Sequence, residues 1–139
     1  MRRRSVNRLV SAQIEQDRAG DLVLVPVRVF LRYDVTDPFA VVLDFTTAAG
    51  LVTWHLSRDL LIEGLEYGVG DGDVYVAPDS ELADRVWVVL TAPTGTAHLA
   101  FVRPELVAVL AETRRLVPQG SESGLIDWNR ELALLGGAA

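Results

Sequence analysis

The sequence predicts an α+β fold in which an antiparallel, barrel-like β-sheet packs with a long C-terminal helix and short helices. Three observations point there. Apolar and polar residues alternate through most of the chain before Pro104, turns containing Gly or Pro punctuate that alternation, and a sustained helical period sets in only after Pro104.

The elements follow in order. Residues 9–15 and 22–31 read as strands turned at Gly20-Asp21. Pro26 cannot donate to a ladder, so its strand should be an edge there, or bulged. In residues 39–46, Phe39, Val41, Leu43 and Phe45 share one face, while Ala40, Val42, Asp44 and Thr46 share the other. Ala48-Ala49-Gly50 then turns the chain into Val52, Trp54 and Leu56 alternating with Thr53, His55 and Ser57, so Trp54 reads as core. Ser57 is a good N-cap and Asp59 suits the first turn of a short helix, which should end at Gly64 in a left-handed cap. Strands at 74–77, 83–92 and 96–102 follow, the last two turned at Pro93-Thr94-Gly95. Residues 22–31 and 85–90 are apolar on both faces, as in a sheet covered by helices or by another subunit. Trp87 is the candidate to meet a neighbouring chain.

Pro104 at the first helical position and Glu105 in the first turn open a longer helix to about Leu116. Leu106, Val107, Leu110 and Val117 make its apolar stripe, and Glu112, Arg114 and Arg115 face water. Residues 118–121 read as a linker. A last helix starts near Asp127, carries Trp128, Leu132 and Leu135 on one face, and stops at Gly136-Gly137.

Length and charge bound the function. A chain of 139 residues is expected to form one domain, here residues 9–139, preceded by a flexible basic arm at 1–8. With no cysteine, disulfides and thiol chemistry are excluded. A net charge of −6 argues against a polyanion partner, so no nucleic acid is expected. No apolar run reaches the length of a membrane helix and no signal core follows Arg4; a cytoplasmic protein without membrane insertion is expected.

The candidate chemistry is thin, and no cofactor, metal or catalytic residue is assigned. Gly68-Val69-Gly70-Asp71-Gly72-Asp73 runs into a strand rather than a helix N-terminus, so it reads as a turn and not a phosphate loop. Calcium is no better served, since Asp71 and Asp73 lack the twelve-residue loop and its terminal glutamate. His55, Ser57 and Asp59 are triad residue types, but strand rise places His55 and Ser57 about 7 Å apart, beyond hydrogen-bond reach. Asp34, Asp37 and Pro38 read as a turn, because aspartate side chains bond local amides and Pro38 keeps Asp37 extended. A small hydrolase using His55 or Asp37 is the weakest reading.

A distributed set of motifs says more. Leu31-Arg32-Tyr33-Asp34 with Asp37-Pro38-Phe39-Ala40-Val41, Trp54 with Arg58-Asp59-Leu60-Leu61 and Glu63-Gly64-Leu65, Gly70-Asp71-Gly72-Asp73-Val74, and Val117-Pro118 with Gly120 and Glu122 occur in this order and spacing. In them the chain resembles the SsgA-like proteins, actinobacterial regulators of sporulation-specific cell division. That resemblance implies a non-enzymatic role in septum-site selection, with recruitment of the tubulin-like protein FtsZ in the cytoplasm at the division septum, alongside an SsgA-like paralogue. It also implies a bell-shaped fold similar to the whirly class of single-stranded nucleic-acid binders, assembled as a homotrimer. A single-stranded nucleic-acid-binding module is therefore the alternative reading, by fold analogy alone. Arg32, Tyr33, Asp34, Asp37, Pro38 and Trp54 are expected to serve structure. The candidate partner contacts are Arg58, Asp59 and Glu63 on the short helix and Glu112, Arg114 and Arg115 on the longer one.

Overall fold

The structure is a computed structural model and describes residues 3–125. Eight strands form one antiparallel sheet: β1 Ser5–Arg18, β2 Asp21–Asp34, β3 Ala40–Thr47, β4 Gly50–Ser57, β5 Val69–Asp71, β6 Val74–Pro78, β7 Arg85–Ala92 and β8 Gly95–Val102. The order across the sheet is β4-β3-β2-β1-β8-β7-β6-β5. Every neighbouring pair is thus a hairpin or meander step except β1–β8, where Ala12, Gln13 and Ile14 meet Phe101, Ala100 and Leu99 and join the two halves. Helix α1, Arg58–Gly64, follows β4, and α2, Arg103–Leu116, follows β8; a 3-10 turn, Glu122–Leu125, comes after α2.

The sheet curls into a half-barrel around an apolar concave face. Register and burial agree on which residues point inward. Val6, Val10 and Ala12 of β1 and Val29, Leu31 and Tyr33 of β2 are all buried, as are Val41, Leu43 and Phe45 of β3. Val86, Val88 and Leu90 of β7 with Leu99 and Phe101 of β8 supply the other wall. Helix α2 turns Leu106, Val109, Leu110 and Thr113 onto this core, while α1 packs against β4, β5 and β6. At the end away from the helices the half-barrel is open. There a cleft of about 230 Å³ separates Val52 and Trp54 from Leu90 and Ala97.

Most turns form where expected. Ala19 and Gly20, at φ 55° and 87°, make the tight β1–β2 turn, and Gly72 at φ 58° turns β5 into β6. Pro26 does lie on an open edge, since β2 pairs with β3 only from Val29 to Arg32. The amide of Ser11 points away from β2 to the Glu105 carboxylate. Its register partner Arg28, and Pro26 two residues on, therefore turn their nitrogens to that open edge, where proline forfeits nothing.

Several expectations are corrected. Residues 5–8 are not a free arm: β1 begins at Ser5, Val6 is fully buried opposite Tyr33, and the Arg4 carbonyl accepts from Val35. Gly64 is no left-handed cap, for α1 closes through Leu65 at φ −67°. Its value is closeness: a Cβ there would collide with the Val76 side chain. Val117 lies past the end of α2 rather than on its stripe, which Val109 and Thr113 complete. Phe39 precedes β3 and remains 44% exposed. Trp54 is half-buried at the cleft instead of enclosed in the core. The helix expected near Asp127, with Trp128, Leu132 and Leu135, lies outside the described residues.

Candidate functional site: a buried arginine that sets the α1–α2 surface

The decisive local choice is made at the start of α1. Ser57 caps the helix, its Oγ accepting from the Leu60 amide at 3.2 Å, and this fixes which residues of the first turn face inward. Arg58, Leu61 and Leu65 fall on one side at helical spacing, and all three are buried.

Arg58 is completely enclosed. Its Nη1 donates to the carbonyl of Thr113 at 3.1 Å, which also accepts from the Val117 amide closing α2, and to the carbonyl of Val117 at 2.8 Å, just past the helix end. A cation near a helix C-terminus also meets the negative end of its dipole. Nη2 stands 3.0 Å from Glu122 Oε2, an ion pair whose alignment falls short of a good hydrogen bond. The guanidinium carbon lies 5.0 Å from the Tyr33 ring centroid, and the Tyr33 hydroxyl donates to the Pro38 carbonyl at 2.8 Å. Nε has no partner among the described residues.

Electrostatics keep this node charged. Burial pushes the Glu122 carboxyl up, yet hydrogen bonds from its own amide and from Gly120, together with the adjacent Arg58 cation, outweigh that and leave its pKa below the ordinary value. Burial raises the Tyr33 phenol to about 12, the nearby Arg58 cation only partly opposing it. The node thus ties β2, α1, the end of α2 and the 3-10 turn into one unit.

Arg58, expected to face a partner, is therefore corrected to an internal anchor. Its neighbours fare differently. Asp59 is exposed and accepts from Gln119 Nε2 at 3.1 Å; Glu63 is exposed one turn on. Glu112 is drawn into contacts with Arg8 at 2.6 Å and Arg3 at 3.3 Å, so its carboxylate is already engaged. Arg114 is half-buried and Arg115 exposed. Asp59, Glu63 and Arg115 hence remain as polar side chains displayed by the two rigid helices.

The other singled-out residues serve local structure. Asp34 Oδ1 accepts from the Thr36 amide at 2.8 Å and the Thr36 hydroxyl at 2.7 Å, and the Asp37 amide bonds the Asp34 carbonyl, which makes the expected turn. Arg32 donates to Asp44 at 2.7 Å, and Thr53 donates to the same carboxylate at 2.6 Å. Trp87 is half-buried on the convex face; its indole N–H donates to Asp79 at 2.7 Å, and Arg85 lies over its ring. His55 and Ser57 point to the convex side of β4, where the Ser57 hydroxyl is occupied as a cap. Sequence reasoning noted Glu122 in a motif without assigning it a partner.

This architecture matches known proteins. Residues 27–122 fit the family model described as Streptomyces sporulation and cell division protein, SsgA. The chain belongs to the SsgA family. Among its relatives, a Frankia casuarinae protein called sporulation-specific cell division protein SsgB is 42% identical over 113 residues, 80% of this chain and 79% of that one. The SsgB of Streptomyces coelicolor is 40% identical over 111 residues, 78% of this chain and 81% of the relative. Two solved SsgA-family structures share the fold. The S. coelicolor SsgB, from work correlating its mutations with longitudinal cell division during sporulation, superposes with TM-score 0.77 at 34% identity, covering 88% of this chain and 95% of its own. An SsgA-like sporulation-specific cell division protein of Thermobifida fusca superposes with TM-score 0.79 at 32% identity, covering 94% of each chain. The SsgA-family sequence motifs converge on the node: Tyr33, Pro38, Arg58, Val117, Gly120 and Glu122 all meet there.

Proposed function

We propose that this protein is a non-enzymatic regulator of sporulation-specific cell division that helps select septum sites and recruits FtsZ to them. It acts at the division septum as a homo-oligomer, a trimer, together with an SsgA-like paralogue. The observation that carries the reading is the identity of about 40%, over most of both chains, to curated proteins called SsgB. The geometry supports an adaptor: the buried Arg58–Glu122 node builds a junction beneath α1 and α2, and Asp59, Glu63 and Arg115 project from it as a charge pattern. Surfaces of this kind favour steering and orientation of a protein partner.

Complementation tests the reading. Expressed in an S. coelicolor strain lacking its own SsgB, the tagged protein is expected to restore sporulation septa and to coincide with FtsZ ladders. Septa that return with the tag spread evenly through the cell, or a tag at septa with no FtsZ ladders, contradict recruitment.

A further inference from the structure

Strand β4 ends the sheet on one side, and its outer edge is unused. The Arg58 amide donates to the Phe39 carbonyl at 2.8 Å in continuation of the β3–β4 register. Val52, Trp54 and Leu56 therefore bond inward to β3, while the N–H and C=O groups of Leu51, Thr53 and His55 turn outward. Among the described residues these outward groups have no hydrogen-bond partner, and all three residues are exposed. Natural sheets blunt such edges with proline, with charge or by keeping the strand very short. The opposite edge obeys that rule, since β5 has three residues. β4 has eight, and contains no Pro, Lys, Arg, Asp or Glu.

Two neighbouring features say what fits there. On the concave side Val52 and Trp54 line the cleft of about 230 Å³ opposite Leu90 and Ala97, and both are half-buried. Side chains of a strand added to β4 would alternate, every second one facing that cleft. The other feature is charge. From Asp59 to Asp84 the chain has eight Asp and Glu residues and no Lys, Arg or His. Asp59 and Glu63 stand exposed on α1, directly beyond β4. Asp73, also exposed, is held by its carbonyl to the Thr91 amide at 2.9 Å, beside the Leu90 and Ala92 wall of the cleft. We propose that the β4 edge is a strand-addition site for an extended segment of a partner protein, apolar at alternate positions and flanked by Lys or Arg.

Each part of the occupant answers one part of the site. Main-chain bonds to Leu51, Thr53 and His55 hold the segment, the cleft takes its apolar side chains, and the acidic flanks take its basic ends. A second copy would set the same acidic flanks against each other, which disfavours it. Residues 126–139 carry Arg130 against Asp127 and Glu131, so the chain's own tail lacks the basic flanks. The proposal deepens the adaptor reading above by naming a binding mode. Peptide binding is measured without septa or filaments, so that reading and this one fail separately.

The test is fluorescence anisotropy of the full chain with a labelled synthetic peptide of about ten residues, Val alternating with Thr and Arg at both ends. Residues opposite one another share a face, so Val on the cleft side lies opposite Val52 and Trp54, and the Thr amides are the ones that face β4. N-methylation of the Thr residues is expected to weaken binding by about tenfold or more, and N-methylation of the Val residues to leave it nearly unchanged. Replacing the terminal Arg residues by Glu should cost a similar factor. His55→Pro removes one outward amide and no bond to β3, so the same loss is expected with an unchanged circular dichroism spectrum. Equal binding of the two methylated peptides, or no binding of the parent at millimolar concentration, overturns the strand-addition site. Undiminished binding of the Glu-ended peptide overturns the basic partner. A parent peptide that binds only while dissociating an oligomer in sedimentation velocity gives the edge to a second copy and overturns the proposal. Binding that appears only with Trp128→Asp and Leu132→Asp gives it to the chain's own tail, with the same consequence. If His55→Pro does not fold, the methylated pair decides alone.

Discussion

Arg58 concentrates the residue-scale consequences. Removing one member of a buried ion pair leaves the other uncompensated, a loss of about 3–5 kcal/mol. Arg58→Met and Glu122→Gln are both expected to lower stability in urea unfolding by amounts in that range, with the double variant costing less than their sum. Additive losses would mean that the pair is not coupled. Arg58→Glu should fail to fold, and loss of partner binding in it would carry no information about contact. The pH dependence has a defined sign. Glu122 has a folded pKa below its unfolded value near 4.5, so its contribution is full above that value and disappears as pH falls through the depressed folded one. The Glu122→Gln variant should show a shallower loss of stability below pH 4.5 than the wild type; parallel curves would refute this assignment.

The inward direction of Arg58 was partly legible. It shares the i, i+3, i+7 stripe with Leu61 and Leu65, so periodicity alone places it with the core. The habit of assigning charge to the surface hides that signal. Its partners were not legible, because Thr113, Val117 and Glu122 are brought to it by the tertiary path of the chain.

Strands and turns were the readable elements. Alternation marks a half-buried strand with no knowledge of neighbours, and Gly or Asp at the turns reports local dihedrals. Gly64 shows where such reading stops. Its place at the end of a short helix suits a cap, whereas the reason for glycine is β6, which only the packed structure brings near. Gly64→Ala is expected to cost about 1–3 kcal/mol through overpacking. Val76→Ala in the same chain should return part of that loss, since it removes the obstructing Cγ1 methyl while the Val76 Cβ stays in place. Gly72→Ala meets open space and bears only the strain of its φ of 58°, about 1 kcal/mol by the helical preference of side chains. Thermal melts of the three variants check the ranking, and a Gly64→Ala protein as stable as wild type would contradict the close approach.

At the scale of the molecule, the helices close one end of the half-barrel and the other stays open. Sequence motifs identified the family because their order and spacing survive where individual residues are not diagnostic. They could not distinguish a residue kept for a partner from one kept for the fold, and Arg58 belongs to the second kind. The proposed partner surface is accordingly reduced to the exposed Asp59, Glu63 and Arg115. Reversing the charge of Asp59 and Glu63 together should weaken FtsZ binding several-fold with no change in melting temperature; unchanged binding would move the contact elsewhere.

The most direct measurement is co-sedimentation of the purified protein with FtsZ polymers from the same organism, with and without GTP. Recruitment predicts that the protein enters the pellet only when GTP-dependent filaments form, in proportion to filament mass, and loses that behaviour on reversal of Asp59 and Glu63. A folded, oligomeric protein that stays in the supernatant at every filament concentration would contradict it.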